Sequence, residues 1–388
     1  MIFSALNPSQ QASRRHLLQS ALALAVLASG IPLAHAQTKA GQSDILLGQS
    51  IDLSGPEAKL GREVVRGMNL YFDSVNATGG VNGRKIKLQT LDDAYNVDKA
   101  AANVQQLRET PGLLALMTPL GTTTTVRVAK EAGDVPVLFP LTGTAGIRTA
   151  SMANTWFLRA TYSEEVQRIA DHSQTLGMKR LAIIHSEDPF GKPGMVAFEK
   201  ALATHQLKPH AVGKVADFRS KDVAAAVKAV ADSRPDAVLV YLPATFPDVV
   251  LALRGAGMQA PVYGISVALT PENLERLGPQ GRGLMFTQVV PPYGNRKFRL
   301  AREYLAQLEA KKTEPSFGSM EGYLNAKVAT EALRRAGADV DRAKLRRALE
   351  SMVPYDAGDM QVQFDAATRS GSKFVQIGII DRAGQLLN

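Results

Sequence analysis

Strand-like and helix-like hydrophobic patterns alternate along most of the chain. The apolar run at 45–51 is short and is followed by a Ser-Gly-Pro turn at 54–56, which is typical of a buried strand. The next segment, 61–77, has helical periodicity, and Thr-Gly-Gly at 78–80 ends it. Its apolar residues recur on one helical face: Val64, Val65, Met68, Tyr71, Phe72 and Val75.

The same alternation continues to the end of the chain. Further strands are predicted at 86–89, 113–117, 135–139, 180–185, 237–241, 262–264, 283–287 and 374–380. Further helices are predicted at 97–109, from the threonine run at 122–125, and at 220–232, 248–255, 296–312, 319–336 and 341–351. Strands that alternate with helices imply a parallel sheet covered on both faces. Because the pattern restarts near residue 180, the sequence predicts an α/β protein with two doubly wound lobes.

The first 36 residues have the features of a signal peptide. An arginine pair at 14–15 precedes an apolar stretch at 17–33, and Ala-His-Ala at 34–36 suits a signal peptidase. Gly30 and Pro32 interrupt the stretch, which is shorter than the roughly 20 residues of a spanning helix. We therefore expect export to the periplasm and removal of residues 1–36. The arginine pair fits the twin-arginine route and the ordinary secretory route equally well.

Composition narrows the classes of function. The chain of 388 residues contains no cysteine, which excludes disulfides, thiol nucleophiles and thiolate metal sites. The formal net charge is +9, but the basic residues form no run longer than a pair. Such pairs are typical of solvated helix faces, so no nucleic-acid partner is expected. We expect a monomer.

A search for catalytic motifs favours a protein without enzymatic activity. Gly-Ile-Ser-Val-Ala at 264–268 approaches the nucleophile elbow of hydrolases but ends in alanine. The last histidine, His210, precedes Ser266, which is the wrong chain order for a hydrolase triad. No phosphate-binding loop, dinucleotide fingerprint or zinc-protease motif is present, so neither a cofactor nor a metal is expected.

Small hydroxyl residues and glycines follow several of the predicted strands. Ligands of parallel sheets bind at the carboxyl ends of strands, where helix N-termini and hydroxyls can hold a carboxylate. The segments at 121–125 and 142–144 share this composition and predict a common carboxylate site at Gly121, Thr122, Thr142, Gly143 and Thr144. The alternative is that these threonines only cap helices or form turns. Phe190 follows another strand and is expected either to cover the ligand or to pack beneath its own loop.

The mature chain, over about 44–388, resembles the type I periplasmic solute-binding proteins of the branched-chain amino acid (Leu/Ile/Val) ABC uptake class. The residues that carry the resemblance are Ser-Gly-Pro at 54–56, Leu-Gly at 60–61, the turn at 76–83, Asp-Asp at 92–93, Phe-Gly at 190–191, 241–247, and Glu-Gly-Tyr at 321–323 with the apolar helix after it. The resemblance implies two lobes joined by a three-strand hinge, with the ligand between them. It assigns 37–159 with 288–355 to the N-terminal lobe and 160–287 with 356–388 to the C-terminal lobe.

The resemblance also implies site residues. It places the carboxylate site on the threonine and glycine residues at 121–122 and 142–144, an aromatic cover on Phe190, a first-lobe wall on Leu60 and a second-lobe wall on Thr245 or Phe246. Ser266 stands where amino-acid binders of the family have a glutamate for the ligand ammonium. A buried ammonium without a counter-charge is costly, so an aromatic or aliphatic acid competes with an amino acid as the ligand. Tyr95 replaces a cysteine of the family's small disulfide and is expected near Gly121.

The expected function is therefore capture of a small carboxylate ligand in the cleft and its delivery to the permease subunits of an ABC transporter. The alternative of the same fold is a ligand-sensing receptor that acts in regulation rather than uptake.

Overall fold

The computed structural model describes residues 43–382 and 386–387, so the predicted leader at 1–36 lies outside the described residues. The strands are β1 Ile45–Ile51, β2 Ile86–Asp92, β3 Leu113–Met117, β4 Val137–Leu138, β5 Thr155–Trp156, β6 Leu181–Ser186, β7 Ala211–Val215, β8 Ala237–Tyr241, β9 Val262–Gly264, β10 Met285–Gln288, β11 Tyr355–Asp356, β12 Gln361–Val362, β13 Gln376–Ile380 and β14 Leu386–Leu387. The helices are α1 Ala58–Ala77, α2 Val97–Arg108, α3 Thr122–Ala132, α4 Tyr162–Thr175, α5 Gly191–Ala203, α6 Ala224–Asp232, α7 Phe246–Gly255, α8 Pro271–Leu277, α9 Arg299–Lys311, α10 Phe317–Ala336 and α11 Arg342–Glu350.

Two sheets organise the chain, as the sequence predicts. The first has the order β2-β1-β3-β4-β5, and all of its strands are parallel. The second has the order β14-β13-β10-β9-β8-β6-β7. Its five strands from β6 to β10 are parallel, whereas β13 and β14 close one edge in antiparallel pairing. The α/β fold with two lobes is therefore confirmed.

Helix α10 lies in the core of the first lobe, which the chain re-enters with α9, and it packs closely on α1. A Cβ atom on Gly67 would lie 1.8 Å from the Ser319 carbonyl oxygen, and one on Gly322 would lie 2.1 Å from the Val64 carbonyl oxygen. Only glycine allows two backbones to approach this closely. The contact fixes the rotation of α10, and with it the direction of Glu321, the neighbour of Gly322.

The chain passes three times between the sheets: after β5, after β10 and after β12. The first and third passages are hydrogen-bonded to each other, because Phe157 N donates to the Arg369 carbonyl at 2.9 Å and Gly371 N to the Phe157 carbonyl at 2.7 Å. Arg148 ties the same passages together by donating to Ser370 Oγ at 2.8 Å and to the Arg159 carbonyl at 2.9 Å. The backbone before α4 is thus held by neighbours on both sides.

The lobe boundaries stay a prediction, although the cores give a guide. The first core cluster contains residues from β1, α1, α9 and α10, and it also includes Ala357, Met360, Val362 and Phe364. These four belong to the segment that the sequence grouped with the C-terminal lobe. Residues of β6 to β10 and α4 to α8 fill two further clusters around the second sheet.

Several predicted elements have the observed bounds, and the differences have local causes. The strands at 45–51, 113–117, 237–241 and 262–264 are confirmed at both ends. The strand predicted at 135–139 is only two residues long, partly because Phe139 has a φ of +57°, outside the extended region. In the described part of the chain, no helix is long and apolar enough to cross a membrane.

Candidate functional site

Three threonine hydroxyl groups meet at the carboxyl edge of the first sheet. Thr122 Oγ1 lies 2.8 Å from Thr142 Oγ1 and 2.9 Å from Thr144 Oγ1, and the last two atoms are 3.2 Å apart. The reason is topological: β3 and β4 are adjacent and parallel, so the segments that follow them emerge side by side. We call these three side chains the threonine seat.

Helix α3 begins at the seat with Thr122. The first N–H groups of a helix have no partner inside the helix, and its dipole is positive at this end. Thr142 is fully buried, whereas Thr122 and Thr144 are half-buried. A carboxylate that replaced the mutual hydroxyl contacts would therefore meet hydroxyl and backbone donors together, in partly desolvated surroundings.

Tyr95 packs directly against the backbone of the seat. Gly121 has a φ of +90°, and a Cβ atom there would lie 2.5 Å from the Tyr95 hydroxyl oxygen. Tyr95 is held in place by its own backbone N–H, which donates to Asp93 Oδ1 at 2.9 Å. Burial raises the pKa of the Tyr95 phenol, so it remains a neutral donor. Tyr95 and Gly121 are thus neighbours, as expected.

Tyr162, the first residue of α4, covers Gly143. Its backbone N–H donates to the Gly143 carbonyl at 2.8 Å, and a Cβ atom on Gly143 would lie 2.5 Å from the Tyr162 ring. Burial raises the pKa of the phenol, and the nearby Thr142 side chain opposes this increase. A residue that follows the first passage between the sheets therefore reaches the threonine seat.

Phe190 belongs to an aromatic cluster of the second lobe. Its ring stacks on Tyr241 with 4.9 Å between centroids and lies 5.7 Å from Tyr162 and 5.9 Å from Phe218. Asp188 orders this loop by accepting hydrogen bonds from the N–H groups of Phe190 at 2.9 Å and Phe218 at 2.8 Å. Phe190 is half-buried, so it both packs on its own lobe and presents part of its ring outward.

Thr245 and Phe246 lie behind this cluster. Thr245 is buried, and its hydroxyl donates to the Phe218 carbonyl at 3.2 Å. Phe246 is fully buried and packs on Phe286 in the core of the second lobe. Thr245 therefore supports the loop that carries Phe218, whereas Phe246 packs in the core, and a direct ligand contact from either residue stays a prediction.

Ser266 lies inside a buried polar cluster. Its backbone N–H and its hydroxyl donate to the Glu165 carboxylate at 2.7 and 2.8 Å, and Thr287 Oγ1 donates to the same carboxylate. Arg159 Nη2 donates to Ser266 Oγ at 2.5 Å, and Arg159 Nε lies 3.6 Å from Glu321 Oε1. An acid thus stands directly behind Ser266, although residue 266 itself is not acidic.

A cavity adjoins this polar cluster, and it lies near the threonine seat through residues that precede the seat in the chain. Its volume, taken as the space open to the centre of a water molecule, is about 50 Å³. Arg159, Ser266 and Glu321 line it together with the predicted wall residue Leu60. Leu120 and Leu141, which directly precede seat segments, also line it.

The two lobes are in contact at the mouth of the cleft. Lys59 N donates to Glu272 Oε1 at 3.0 Å, and the Lys59 ammonium forms an ion pair with Glu275. Arg219 of the second lobe lies 5.7 Å from the centroid of the Tyr95 ring. The structure therefore has the lobes closed on one another.

Glu57 lies among these mouth residues. Burial raises its pKa to about 7, the negative charges of Glu272 and Asp52 add to the effect, and Arg219 opposes it. Protonation of this carboxyl near neutral pH follows from a closed mouth in which acids of both lobes approach each other.

The structure brings together most of the predicted residues and adds four that the sequence did not indicate. Thr122, Thr142 and Thr144 form the seat, with Tyr95 and Tyr162 on its glycines, while Ser266 lies in the polar cluster. The additional residues are Arg159, Tyr162, Glu165 and Glu321. Threonine at 161 and glutamate at 164 form a capping box, a signal for the start of α4 but not for the role of the residues around it.

Comparisons with known proteins agree with this architecture. Residues 44–385 match the family described as periplasmic binding protein. A Brucella melitensis protein named Leu/Ile/Val-binding protein homolog 3 is 24% identical over 323 residues, which cover 82% of this chain and 86% of that protein.

Solved structures give the same picture. A substrate-binding periplasmic protein from Ralstonia solanacearum is 28% identical with a TM-score of 0.76, over 89% of this chain and 99% of that one. A solute-binding protein of an ABC transporter from R. palustris, solved with benzoate, is 18% identical with a TM-score of 0.75, over 89% of this chain and 95% of that one. The latter shows the shared fold alone.

Proposed function

Because the chain belongs to the periplasmic binding protein family, we propose that it is the solute-binding protein of an ABC importer and captures a small carboxylate-bearing molecule between its lobes. The family and the relatives named above are binding proteins, and this chain is a binding protein rather than an enzyme. The hydroxyl of Ser266 accords with this, because it is held between Arg159 and Glu165.

The threonine seat is the single observation on which the proposal of a carboxylate ligand depends. Its three hydroxyls lie within 3.2 Å of one another, and each can turn its proton toward a bound oxygen. The start of α3 adds backbone donors and a positive dipole end. Two of these threonines, Thr122 and Thr144, are half-buried rather than fully buried, which leaves room for a ligand to approach them.

Closure completes the binding cycle. In the open form, the seat of the first lobe is accessible, and a ligand carboxylate binds there. The second lobe then brings Phe190 and its aromatic neighbours over the ligand, and the mouth contacts of Lys59 with Glu272 and Glu275 form. A ligand shifts this equilibrium only if it contacts the closed form better than the open form. Seat and cover lie on different lobes, which supplies that difference.

The closed protein presents one fixed surface made of both lobes, and we propose that the permease subunits of the importer recognise it. The family is periplasmic, which agrees with export through the predicted leader. All residues assigned to the cleft come from one chain, so the proposal needs no second copy.

A comparison of acids with their primary amides tests the carboxylate. Thermal unfolding is measured with benzoate against benzamide and 4-methylpentanoate against 4-methylpentanamide. An acid present at 100 times its Kd stabilises the protein by about 2.7 kcal/mol, whereas the matched amide, which lacks the negative charge, gives little shift. Equal stabilisation by acid and amide would contradict the seat as a carboxylate site. Native mass spectrometry of freshly purified protein shows independently whether a bound small molecule carries a carboxyl group.

A further inference from the structure

The cavity next to the polar cluster contains a carboxylate whose hydrogen-bonding capacity is not used by the described residues. Glu321 lines this cavity, and its side chain is 14% exposed. Its one ion pair is with Arg159 Nε at 3.6 Å, which is longer than a hydrogen bond. Among the described residues, no hydrogen bond to the Glu321 carboxylate is found.

The neighbouring acid differs sharply from Glu321. Glu165 is fully buried, and its carboxylate accepts three hydrogen bonds, two from Ser266 and one from Thr287. Its acceptor sites are thus largely filled by the protein. Glu321 is therefore the carboxylate of this cluster that can accept a bond from a bound molecule.

Arg159 also has hydrogen-bonding capacity that the polar cluster does not use. It is only 6% exposed and lines the cavity, yet its Nε atom has no hydrogen-bond partner. One guanidinium here faces two carboxylates, Glu165 and Glu321. Burial raises the pKa of Glu321, while Arg159 lowers it and Glu165 adds to the increase. A further positive charge or proton donor would stabilise this arrangement, whereas a further negative charge would not.

The cavity has an apolar wall formed by leucines, two of which directly precede seat segments in the chain. Leu120 and Leu141 pair through a backbone bridge directly before Gly121 and Thr142, and their side chains line the cavity with Leu60. A ligand anchored by its carboxylate at the seat would lay an apolar body along these leucines. Its other end would then approach the polar wall formed by Arg159 and Glu321.

We propose that Glu321 accepts a hydrogen bond from the ligand, and that the cleft therefore selects carboxylic acids whose apolar body ends in a proton-donating group, a hydroxyl or a protonated amine. This inference rests on the proposed function, because it needs the carboxylate of the ligand at the threonine seat. Arg159 and Glu165 act as positioning residues, since they hold Ser266 and the polar wall in place.

Matched acids test the selection. Calorimetry compares benzoate with 4-hydroxybenzoate, and pentanoate with 5-hydroxypentanoate and 5-aminopentanoate. In the wild-type protein, a donor-bearing acid binds about tenfold or more tightly than its plain counterpart, because it fills the vacant acceptor of a carboxylate. Glu321→Ala brings the two members of the pair to equal affinity.

Glu321→Gln distinguishes a ligand that donates from a hydroxyl group from one that donates from a protonated amine. The amide oxygen still accepts from a hydroxyl, so a preference for the hydroxy acid is partly kept, whereas a preference for the amino acid is lost with the charge. Glu331→Gln is the matched control, because Glu331 lies on the same helix and pairs with Arg334 and Arg335 instead. It leaves the preference unchanged. Thermal unfolding confirms that each variant is folded. If Glu321→Ala does not fold, the binding preference of Glu321→Gln alone tests the role of Glu321.

The outcomes distinguish this inference from the function on which it rests. Equal affinity of plain and donor-bearing acids in the wild-type protein overturns the role of Glu321 and leaves capture of carboxylates standing. The same holds if folded Glu321→Ala keeps the full preference. If no acid of either set binds to the wild-type protein, the proposed function itself fails.

Discussion

The Oγ1 atoms of Thr122 and Thr144 lie 2.9 Å apart, although 22 residues separate them in the chain. One begins helix α3 and the other precedes a short 3-10 turn after β4. Their contact exists because two parallel strands deliver their following loops to one edge of a sheet. Helix capping alone does not require three threonines at this edge. Their hydroxyls are therefore available to a ligand.

Replacing Thr142 or Thr144 of the seat weakens ligand binding. Thr142→Ala and Thr144→Ala each remove one hydroxyl, and we expect a loss of about 1–3 kcal/mol in the binding of any acid that stabilises the wild-type protein. Because these hydroxyls also contact each other, the double substitution costs less than the sum of the two. Calorimetry measures both effects. Thr123→Ala is the control, since Thr123 lies on the same helical turn and is exposed. Wild-type affinity in both single variants would refute the seat.

A methyl group at position 121 destabilises the first lobe. Gly121→Ala combines a φ of +90° with a contact of 2.5 Å to the Tyr95 hydroxyl. We expect the free energy of unfolding to fall by about 2–4 kcal/mol in urea titrations. Gly112→Ala separates the two causes, because Gly112 has a φ of +83° with nothing within 4 Å of the added atom. The cost of Gly112→Ala comes only from the backbone conformation. If it lowers the free energy of unfolding as much as Gly121→Ala does, the contact with Tyr95 contributes nothing.

Phe190 contributes more to binding than to folding. Its ring is half-buried and lies against Tyr162, which covers Gly143 of the seat, so we expect Phe190→Ala to remove cover from the ligand. We expect about 1–2 kcal/mol of lost affinity, with a modest change in Tm. Tyr241→Ala provides the contrast: this ring is 2% exposed in the core, and its loss costs about 3–5 kcal/mol of stability. If Phe190→Ala lowers Tm as much as Tyr241→Ala and spares affinity, Phe190 is a core residue only.

Ligand binding weakens as the pH rises through neutrality. The closed form raises the pKa of Glu57 to about 7, because burial and the nearby Glu272 and Asp52 disfavour its charge and Arg219 compensates only in part. An acid with a raised pKa binds a proton in the closed form that it lacks in a solvated state. The contribution of Glu57 to closure, and so to ligand binding, is therefore fully present below the ordinary glutamate pKa of about 4.3. It is lost as the pH rises through 7.

Calorimetry between pH 5 and pH 8 measures this dependence, which amounts to at most about tenfold in Kd for each pH unit. Glu57→Gln has no proton to gain and flattens the profile. Glu350→Gln, on the exposed side of α11, keeps it. A profile that is the same for wild type and Glu57→Gln would show that closure does not protonate this carboxyl.

The succession of strands and helices could be predicted from the chain because it depends on local periodicity. Strands such as 45–51 and 237–241 are short apolar runs bounded by turn residues, and their bounds follow from that pattern alone. The antiparallel pairing of β13 with β10 could not be predicted in this way, because nothing in a single strand states the direction of its neighbour.

The candidate site divides in the same manner. The sequence by itself determined the threonine and glycine composition of two strand ends, and adjacency of parallel strands was enough to bring them together. Only the tertiary structure decided that Glu165 stands behind Ser266 and that Glu321, from a helix that returns late in the chain, faces the same cavity. These contacts span 101 and more residues, and they depend on helix rotation and on the closed lobes. Such relationships leave no periodic signal in a sequence, because they arise from packing in three dimensions rather than from neighbours along the chain.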